Sequence, residues 1–281
     1  MPHDHRAVPR RKLLQLLSLG GGCLALRALF PSLVLAQGGG QPYYTDPARG
    51  FLGQFEQVCQ GAKQMLAPRL GEGKAALGAR KSLESFTAQL AHLPEVGGKR
   101  NPDSEFIVVA AWYAALGEGL LPLGLSAEDI GRLVCDMYAG EFQSGDPQKA
   151  LAEGKARFTR ESMAQGLAWA AWTRQRDYPG NWVAAFYVGD GQDFDFGYDY
   201  SECGVVKYLR SRGLPQLAPY VCLNDFIKSR AQGTGLQRTT TLALGYDRCD
   251  FRYKEGREVT QGWDSEAPKV KARMAERGFT G

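Results

Sequence analysis

The spacing of apolar residues divides the chain into a helical half and a mixed half. Before residue 178, apolar positions recur every three or four residues, which is the period of an amphipathic or buried helix. The segments with this period are 51–66, 76–93, 106–121, 126–142 and 147–176. Asp103 or Ser104 can cap the third segment, and Ser126 with Asp129 close behind can cap the fourth. We therefore expect five helices in this half.

After residue 178 the pattern changes to short segments rich in aromatic and β-branched residues, which are typical of strands. In chain order we predict strands at 181–190 and 193–200, helices at 201–213 and 215–233, and strands at 236–245 and 248–254. A turn at 245–247 would join the last two strands into a second hairpin. The order β-β-α-α-β-β after a helical half predicts an α+β fold, with helices packed on a small antiparallel sheet.

The first 36 residues have the features of an export signal. Arg10 and Arg11 precede a glycine-interrupted apolar run, and small residues near Ala36 offer a cleavage site. This arrangement resembles a twin-arginine signal, so we expect the twin-arginine machinery to export the protein to the periplasm. Arg27 shortens the apolar run below the roughly 20 residues of a spanning helix. No other segment suggests a span, and we expect no membrane anchor after cleavage.

The net charge of +4 resides in this signal. Residues 37–281 contain equal numbers of acidic and basic residues, so the chain lacks the positive excess that nucleic-acid binding requires. Residues 37–48 are rich in glycine and proline and are typical of a linker. We interpret residues 49–281 as a single domain.

Common catalytic motifs are absent from the sequence. It contains no G-x-S-x-G, H-E-x-x-H, P-loop or C-x-x-C motif. Beyond the signal the only histidine is His92, which we interpret as a residue at the end of a helix. Chemistry would then depend on carboxylates, thiols, arginine or a metal ion.

The last third of the chain concentrates thiols and carboxylates. Five cysteines remain after the signal, an odd number that cannot all pair within one chain. Cys222 and Asp225 are three residues apart on a predicted helix and share one face. Strand alternation places Cys249 and Phe251 on one sheet face and Asp250 on the other. These side chains could therefore converge.

Taken together, these positions form a pattern that is similar to a known family. A cysteine opens a helix, C-x-x-D follows on the next helix, and an arginine-threonine segment leads through a glycine turn into C-x-F. The matching residues are Cys203, Cys222, Asp225, Arg238, Thr239, Thr241, Gly245, Cys249 and Phe251. The pattern resembles the L-2-amino-thiazoline-4-carboxylic acid hydrolase family over roughly 180–255. It also looks like the 4-vinyl-reductase-type domain, a small-molecule-binding fold that can hold zinc.

The resemblance implies hydrolysis of a small cyclic amidine substrate to N-carbamoyl-L-cysteine, by three routes that stay open. A metal ion such as zinc could activate a bound water molecule, because the metal lowers the pKa of that water from about 15.7 to near 7. Its ligands would come from Cys203, Cys222, Asp225 and Cys249. Alternatively, Asp225 could act as a general base, or Cys222 could act as a covalent nucleophile. Cys249 is the third residue that we assign to the catalytic set.

The resemblance also suggests residues that contact the substrate. Arg238 offers a fork for a carboxylate, Glu202 or Asp250 could balance the amidinium charge, and Thr239 completes the set. Each residue has a structural alternative: buried cysteines pack as small hydrophobic residues or pair in an oxidising compartment. A non-catalytic module that binds a metal or small ligand is therefore the alternative function.

Overall fold

The structure is a computed structural model, and it describes residues 43–279. The predicted export signal at 1–36 lies outside the described residues, as does the first half of the predicted linker at 37–48. The helices are α1 Phe51–Leu70, α2 Glu72–Leu90, α3 Ser104–Leu120, α4 Ala127–Ser144, α5 Pro147–Ala156, α6 Arg160–Thr173, α7 Gly204–Ser211, α8 Ala218–Gln232 and α9 Trp263–Glu276. The strands are β1 Val183–Val188, β2 Phe196–Glu202 and β3 Cys249–Tyr253.

Helix α3 is the centre of the helical half. It is apolar on nearly all sides, as expected for a helix surrounded by other elements. The Trp112 ring packs against Phe55 of α1 and Phe86 of α2, with ring centroids 5.9 Å and 6.4 Å away. The predicted cap of α4 is confirmed, since Ser126 and Asp129 form a reciprocal capping box.

The expectation that no further segment could span a membrane needs correction for α3. With the short 3-10 turn that follows it, the segment Ser104–Leu123 is long and apolar enough to cross a membrane by length and composition alone. Of the 18-residue part of this segment that meets the hydropathy criterion, 67% is buried inside the protein. Core helices satisfy the same criterion, and α3 has the position of a core helix.

The three strands form one antiparallel sheet in the order β1-β2-β3. Tyr198 pairs with Phe251, and Tyr200 pairs with Cys249, so their side chains share one face. Helix α6 covers this face at Gly166, where a side chain would collide with the Phe186 ring. The predicted class is confirmed: helices pack on a small antiparallel sheet in an α+β fold.

The predicted second hairpin is wrong, because 236–245 contains no strand. Gln237 forms only an isolated bridge with Arg252, and Leu242–Leu244 is a 3-10 turn capped by Thr241. The reason is local competition for backbone donors. The Asp250 carboxylate accepts the N–H groups of Thr239 and Thr240 at 2.9 Å and 2.6 Å, and these donors are therefore not paired with a neighbouring strand.

The single helix predicted at 147–176 is also wrong, because it is divided into α5 and α6. The Thr159 hydroxyl accepts the N–H of Ser162 and begins a new helix at Arg160. The break turns α5 towards the C-terminal end of α8, against which it packs. Helix α9 lies beyond the segments in which sequence periodicity predicted an element.

Gly154 allows the close approach of α5 to α8, and its replacement tests that contact. A Cβ atom at this position would lie 1.8 Å from the backbone oxygen of Gln232. We expect Gly154→Ala to lower the free energy of unfolding by about 2 kcal/mol, measured by urea denaturation. Gly140 of α4 is the matched control, since nothing lies within 4 Å of its added Cβ. Gly140→Ala should be neutral or stabilising, and equal losses in both variants would contradict this account.

Candidate functional site

A cavity of about 350 Å³ lies between the helices and the aromatic face of the sheet. Its walls come from α1, α3, α4, α8 and the sheet, with α5 and α6 at one side. The volume is in the range of small-molecule sites. Four of the predicted site residues line this cavity, namely Cys203, Cys222, Asp225 and Cys249. The convergence expected from helix and strand periodicity is therefore present.

Asp225 and Arg238 form an ion pair at the wall of the cavity, in which the arginine is buried and the Asp225 side chain is 36% exposed. Arg238 Nη1 donates to Asp225 Oδ2 at 2.5 Å, and Nη2 donates to the carbonyl oxygen of Cys222 at 3.0 Å. The guanidinium lies between the rings of Phe226 and Phe251, with centroid distances of 4.8 Å and 4.9 Å. The Arg238 side chain is 3% exposed and is not among the cavity-lining residues. Arg238 thus positions Asp225, whereas the sequence suggested direct contact with a substrate carboxylate.

The protonation of Asp225 depends on two opposing effects. Burial raises its pKa above the ordinary range, because the charged form is poorly solvated. Arg238 lowers the pKa through its charge and its hydrogen bond, and Lys228 and Arg157 add smaller effects of the same sign. Since arginine keeps its proton, the pair supplies a fixed carboxylate to the cavity.

A second carboxylate, Asp103, lines the same cavity. It precedes α3 as the N-cap residue, yet its side chain makes no capping hydrogen bond to the helix. Burial raises the pKa of Asp103 to about 7, an effect that Lys228 and Arg157 reduce and Asp225 increases. Carboxylic acids with such pKa values can exchange protons near neutral pH. The sequence indicates Asp103 only as a helix cap. Asp103 and Asp225 are more than a hundred residues apart in the chain, so no local sequence pattern shows that both line one cavity.

Two cations accompany these carboxylates in the cavity. Lys228 lies one helical turn after Asp225 on α8, and Arg157 lies in the break between α5 and α6. The Arg157 guanidinium stacks over the Tyr253 ring at 4.4 Å. We define the charged end of the cavity as Asp103, Arg157, Asp225 and Lys228. It can attract both an amidinium group and a carboxylate group.

Of the three thiols of the cavity, Cys249 is buried, and Cys203 and Cys222 are half-buried. Burial raises the pKa of Cys203, of Cys222 and of Cys249, the last to about 12. Cys249 Sγ also accepts the N–H of Leu242 at 3.2 Å. Thiols with raised pKa values stay protonated at neutral pH, and the protonated form is neither a good nucleophile nor a metal ligand. The arrangement therefore does not favour Cys222 as a covalent nucleophile or Cys249 as a reactive group.

The donor set does not fit the suggested metal site. Within residues 43–279 no group of three or more His, Cys, Asp or Glu side chains is placed to hold a metal ion. Cys203, Cys222, Asp225 and Cys249 line one cavity without forming such a group, and Asp225 is engaged by Arg238. We therefore derive no step through zinc or another metal.

Three predicted substrate-binding residues lie away from the cavity. Glu202 pairs with Arg176 and with Lys207 Nζ, the latter at 2.5 Å. Asp250 and Thr239 bind each other at the surface, where the Asp250 carboxylate replaces a strand partner for the following segment. None of the three is among the cavity-lining residues. Alternation along β3 correctly predicts the opposite orientation of Asp250.

One wall of the cavity is aromatic. Tyr198 and Tyr200 stack at 5.8 Å, and Phe251 meets Tyr200 edge-on at 5.4 Å. Trp169 of α6 packs edge-on against both tyrosines and donates its N–H to Asn101 at 3.1 Å. These rings are fixed by one another. They can present a flat, rigid surface to a bound molecule.

Comparison with known proteins adds one match. A model of the L-2-amino-thiazoline-4-carboxylic acid hydrolase family matches residues 103–253, which is more than half of the chain. The matched segment contains all four residues of the charged end and the aromatic wall. No curated protein and no solved structure matches the chain significantly.

Proposed function

The chain belongs to the L-2-amino-thiazoline-4-carboxylic acid hydrolase family, and from this premise we propose that it is an exported hydrolase that opens a small cyclic amidine to an N-carbamoyl amino acid. The observation that supports this most is the pair of carboxylates, Asp103 and Asp225, in one cavity with two cations. Hydrolysis of an amidine needs a proton acceptor and a negative charge, and this end of the cavity supplies both.

Substrate binding would use the charges of the site in a defined way. Asp225, held by Arg238, faces the positively charged amidine, because a fixed carboxylate binds a cation without having to reorganise. Lys228 and Arg157 attract the substrate carboxylate. The aromatic wall of Tyr200 and Phe251 orients the flat ring. In this assignment Lys228 and Arg157 bind the substrate carboxylate, which is the role that the sequence suggested for Arg238.

The chemical step then requires one proton acceptor. Asp103, with a pKa of about 7, takes a proton from water as the oxygen adds to the amidine carbon. The ring carbon–sulfur bond breaks, Asp103 returns the proton to the leaving sulfur, and the proton that remains on the added oxygen passes to solvent as the carbamoyl C=O forms. One water molecule is consumed, and the products are a carbamoyl group and a thiol. Asp225 serves as the charge partner in this scheme, so the role of base that the sequence suggested for it passes to Asp103.

Export is part of the proposal. Support comes from Arg10 and Arg11 before a short apolar run with small residues near Ala36. A cysteine-producing reaction is expected in the cytoplasm, so an exported member would act on a substrate that reaches the periplasm. Fractionation of cells that produce the full chain, with Arg10→Lys/Arg11→Lys as the comparison, measures this. Retention of both forms in the cytoplasm would contradict export by this route.

The alternative function is a binding module without turnover. The observation that favours it is the mainly apolar cavity lining combined with protonated thiols and no histidine in the cavity. Such a site holds a ligand tightly without offering a nucleophile. The module and the hydrolase share the charged end, so they differ in turnover and not in binding.

Turnover of L-2-amino-thiazoline-4-carboxylate by the purified, reduced protein tests the proposal directly. We expect new low-molecular-weight thiol and a mass gain of one water. Asp225→Asn should lower kcat/KM by about 100-fold or more, because the amide cannot neutralise the amidinium. Asp247→Asn is the matched control, since Asp247 lies exposed in the turn before β3. Binding without thiol release would replace the hydrolase with the binding module, and equal activity of both variants would remove Asp225 from the site.

A further inference from the structure

The cavity continues beyond the charged end into a region between three helices. We define the helical lobe as six mainly apolar lining side chains of α1, α3 and α4. They are Val58, Val109, Trp112, Leu116, Val134 and Met137, and the same helices also contribute polar lining residues, among them Gln54, Glu105 and Tyr138. No member of this set carries a charge. The lobe is separate in chemistry from the charged end, and the proposed reaction uses none of its residues.

The length of the cavity exceeds what the proposed chemistry needs. Along α3 the lining runs from Glu105 to Leu116, a separation of eleven residue steps or roughly 16 Å at 1.5 Å per step. A bare amino-thiazoline carboxylate has about nine non-hydrogen atoms and occupies roughly 150 Å³ at the packing density of protein interiors. The cavity of about 350 Å³ could hold this molecule and a second group of similar size.

Three buried polar atoms in the lining have no hydrogen-bond partner among residues 43–279, and they belong to Trp112, Asn224 and Gln232. Trp112 Nε1 is a donor on a side chain that is 6% exposed, and Asn224 Oδ1 is an acceptor. Asn224 is held in place because its amide nitrogen donates to the Tyr113 hydroxyl at 3.0 Å. Buried polar atoms in proteins are nearly always paired. An aromatic group in the cavity near Trp112 could accept this N–H weakly on the face of its ring.

We infer that the substrate of this site is an apolar-substituted cyclic amidine acid, with its polar ring at the charged end and its substituent in the helical lobe. The inference rests on the proposed function for the identity of the ring. The size of the lobe and its apolar side chains define the substituent, which is an aromatic or branched aliphatic group of about six to eight carbon atoms. A free amino-thiazoline carboxylate fills only the charged end.

Occupation of the lobe can be measured by an affinity ratio, which is the Kd of the bare ligand divided by the Kd of a substituted ligand. The ligands are L-2-amino-thiazoline-4-carboxylate and two derivatives with a benzyl group, one on ring carbon 5 and one on the exocyclic nitrogen. Calorimetry with the purified protein should give at least ten-fold tighter binding for one derivative, because its ring leaves water for an apolar cavity. Equal or weaker binding of both derivatives, or no binding of either, would overturn the inference.

Filling the lobe should abolish this ratio. Val109→Phe places a ring where the substituent would lie, and the affinity ratio should fall to about one. Val188→Phe is the matched control, because Val188 is 58% exposed on β1 and lies away from the cavity lining; its ratio should remain as in the natural protein. Val109→Leu is a smaller change that should lower the ratio in part if Val109→Phe does not fold. An unchanged ratio in the Val109 variants would overturn the inference.

Thiol release from the same compounds separates the two proposals. A high affinity ratio without thiol release would contradict the hydrolase and leave the helical lobe as a binding site. Release from the bare compound with a ratio near one would support the hydrolase and contradict the lobe. Release from the benzyl derivative with a higher kcat/KM than from the bare compound would support both.

Discussion

Replacement of Arg238 by methionine is expected to lower the free energy of unfolding by about 2–3 kcal/mol at pH 8, between the values for exposed and fully buried ion pairs. Methionine preserves much of the length and apolar contact of the side chain between Phe226 and Phe251. It removes the guanidinium that donates to Asp225, whose side chain faces the cavity and is 36% exposed. Urea denaturation at fixed pH measures the loss.

The pH dependence of the stability loss in Arg238→Met distinguishes an effect of the unpaired charge from an effect of lost packing. Without Arg238 the folded-state pKa of Asp225 rises further above its unfolded value, since the largest effect that opposes burial is lost and the smaller effects of Lys228 and Arg157 remain. A carboxyl group with a raised folded-state pKa contributes stability that decreases as pH rises from the unfolded pKa through the folded one. The deficit of Arg238→Met should therefore be smaller at pH 4.5 than at pH 8. A deficit that does not change with pH would assign it to packing.

Two further variants complete this test. Arg238→Met/Asp225→Asn should recover much of the lost stability, because the uncompensated charge is gone. Arg212→Met removes a comparable partner from Glu118, but Arg212 is 38% exposed whereas Arg238 is 3% exposed, so water and salt screen the control pair more strongly. We expect a change of no more than about 1 kcal/mol there. If the double variant is as unstable as Arg238→Met, the ion pair is not the source of the loss.

The elements of this fold follow from sequence where the cause is local. The capping box at Ser126 and the shared face of Cys222 and Asp225 depend on residues within one turn of helix, and periodicity predicts both. The orientation of Asp250 away from Cys249 follows from strand alternation in the same way. Short-range geometry therefore predicts which side chains share a surface.

The rest of the site depends on contacts between distant segments. Arg238 could be a surface charge or a substrate clamp by its position in the sequence, and only tertiary packing brings it against Asp225 between two rings. Asp103 enters the cavity because α3 crosses the molecule beside α8. The missing fourth strand has a similar origin, since the Asp250 side chain competes successfully for backbone donors. No periodic pattern encodes such competition.

Replacement of Asp103 by asparagine is expected to lower kcat/KM by about 10²–10⁴-fold, the usual contribution of a general base. The natural protein should show kcat/KM rising with pH through about 7, because the base is active when ionised. The asparagine variant should lose this inflection together with its activity. Thiol release followed between pH 5 and pH 9 provides both profiles.

The same substitution should make the protein more stable at high pH. The folded-state pKa of Asp103 is about 7, above the ordinary value of 3.8, so the folded state holds a proton that the unfolded state has released. Stability therefore falls as pH rises from about 4 to above 7. Asparagine carries no charge to bury, and Asp103→Asn should exceed the natural protein by about 2 kcal/mol at pH 8.

Asp129 provides a control of opposite sign. Its pKa is lowered to about 2, mainly by the hydrogen bond from Arg69, so its contribution to stability is present above pH 4 and is lost as pH falls towards 2. Asp129→Asn should therefore destabilise the protein at pH 8 without changing the inflection in kcat/KM. A loss of activity with a gain in stability, seen only for Asp103→Asn, is the combination expected of a catalytic carboxyl group whose burial destabilises the folded state. Retention of the inflection near pH 7 in that variant would assign the proton transfer to another residue.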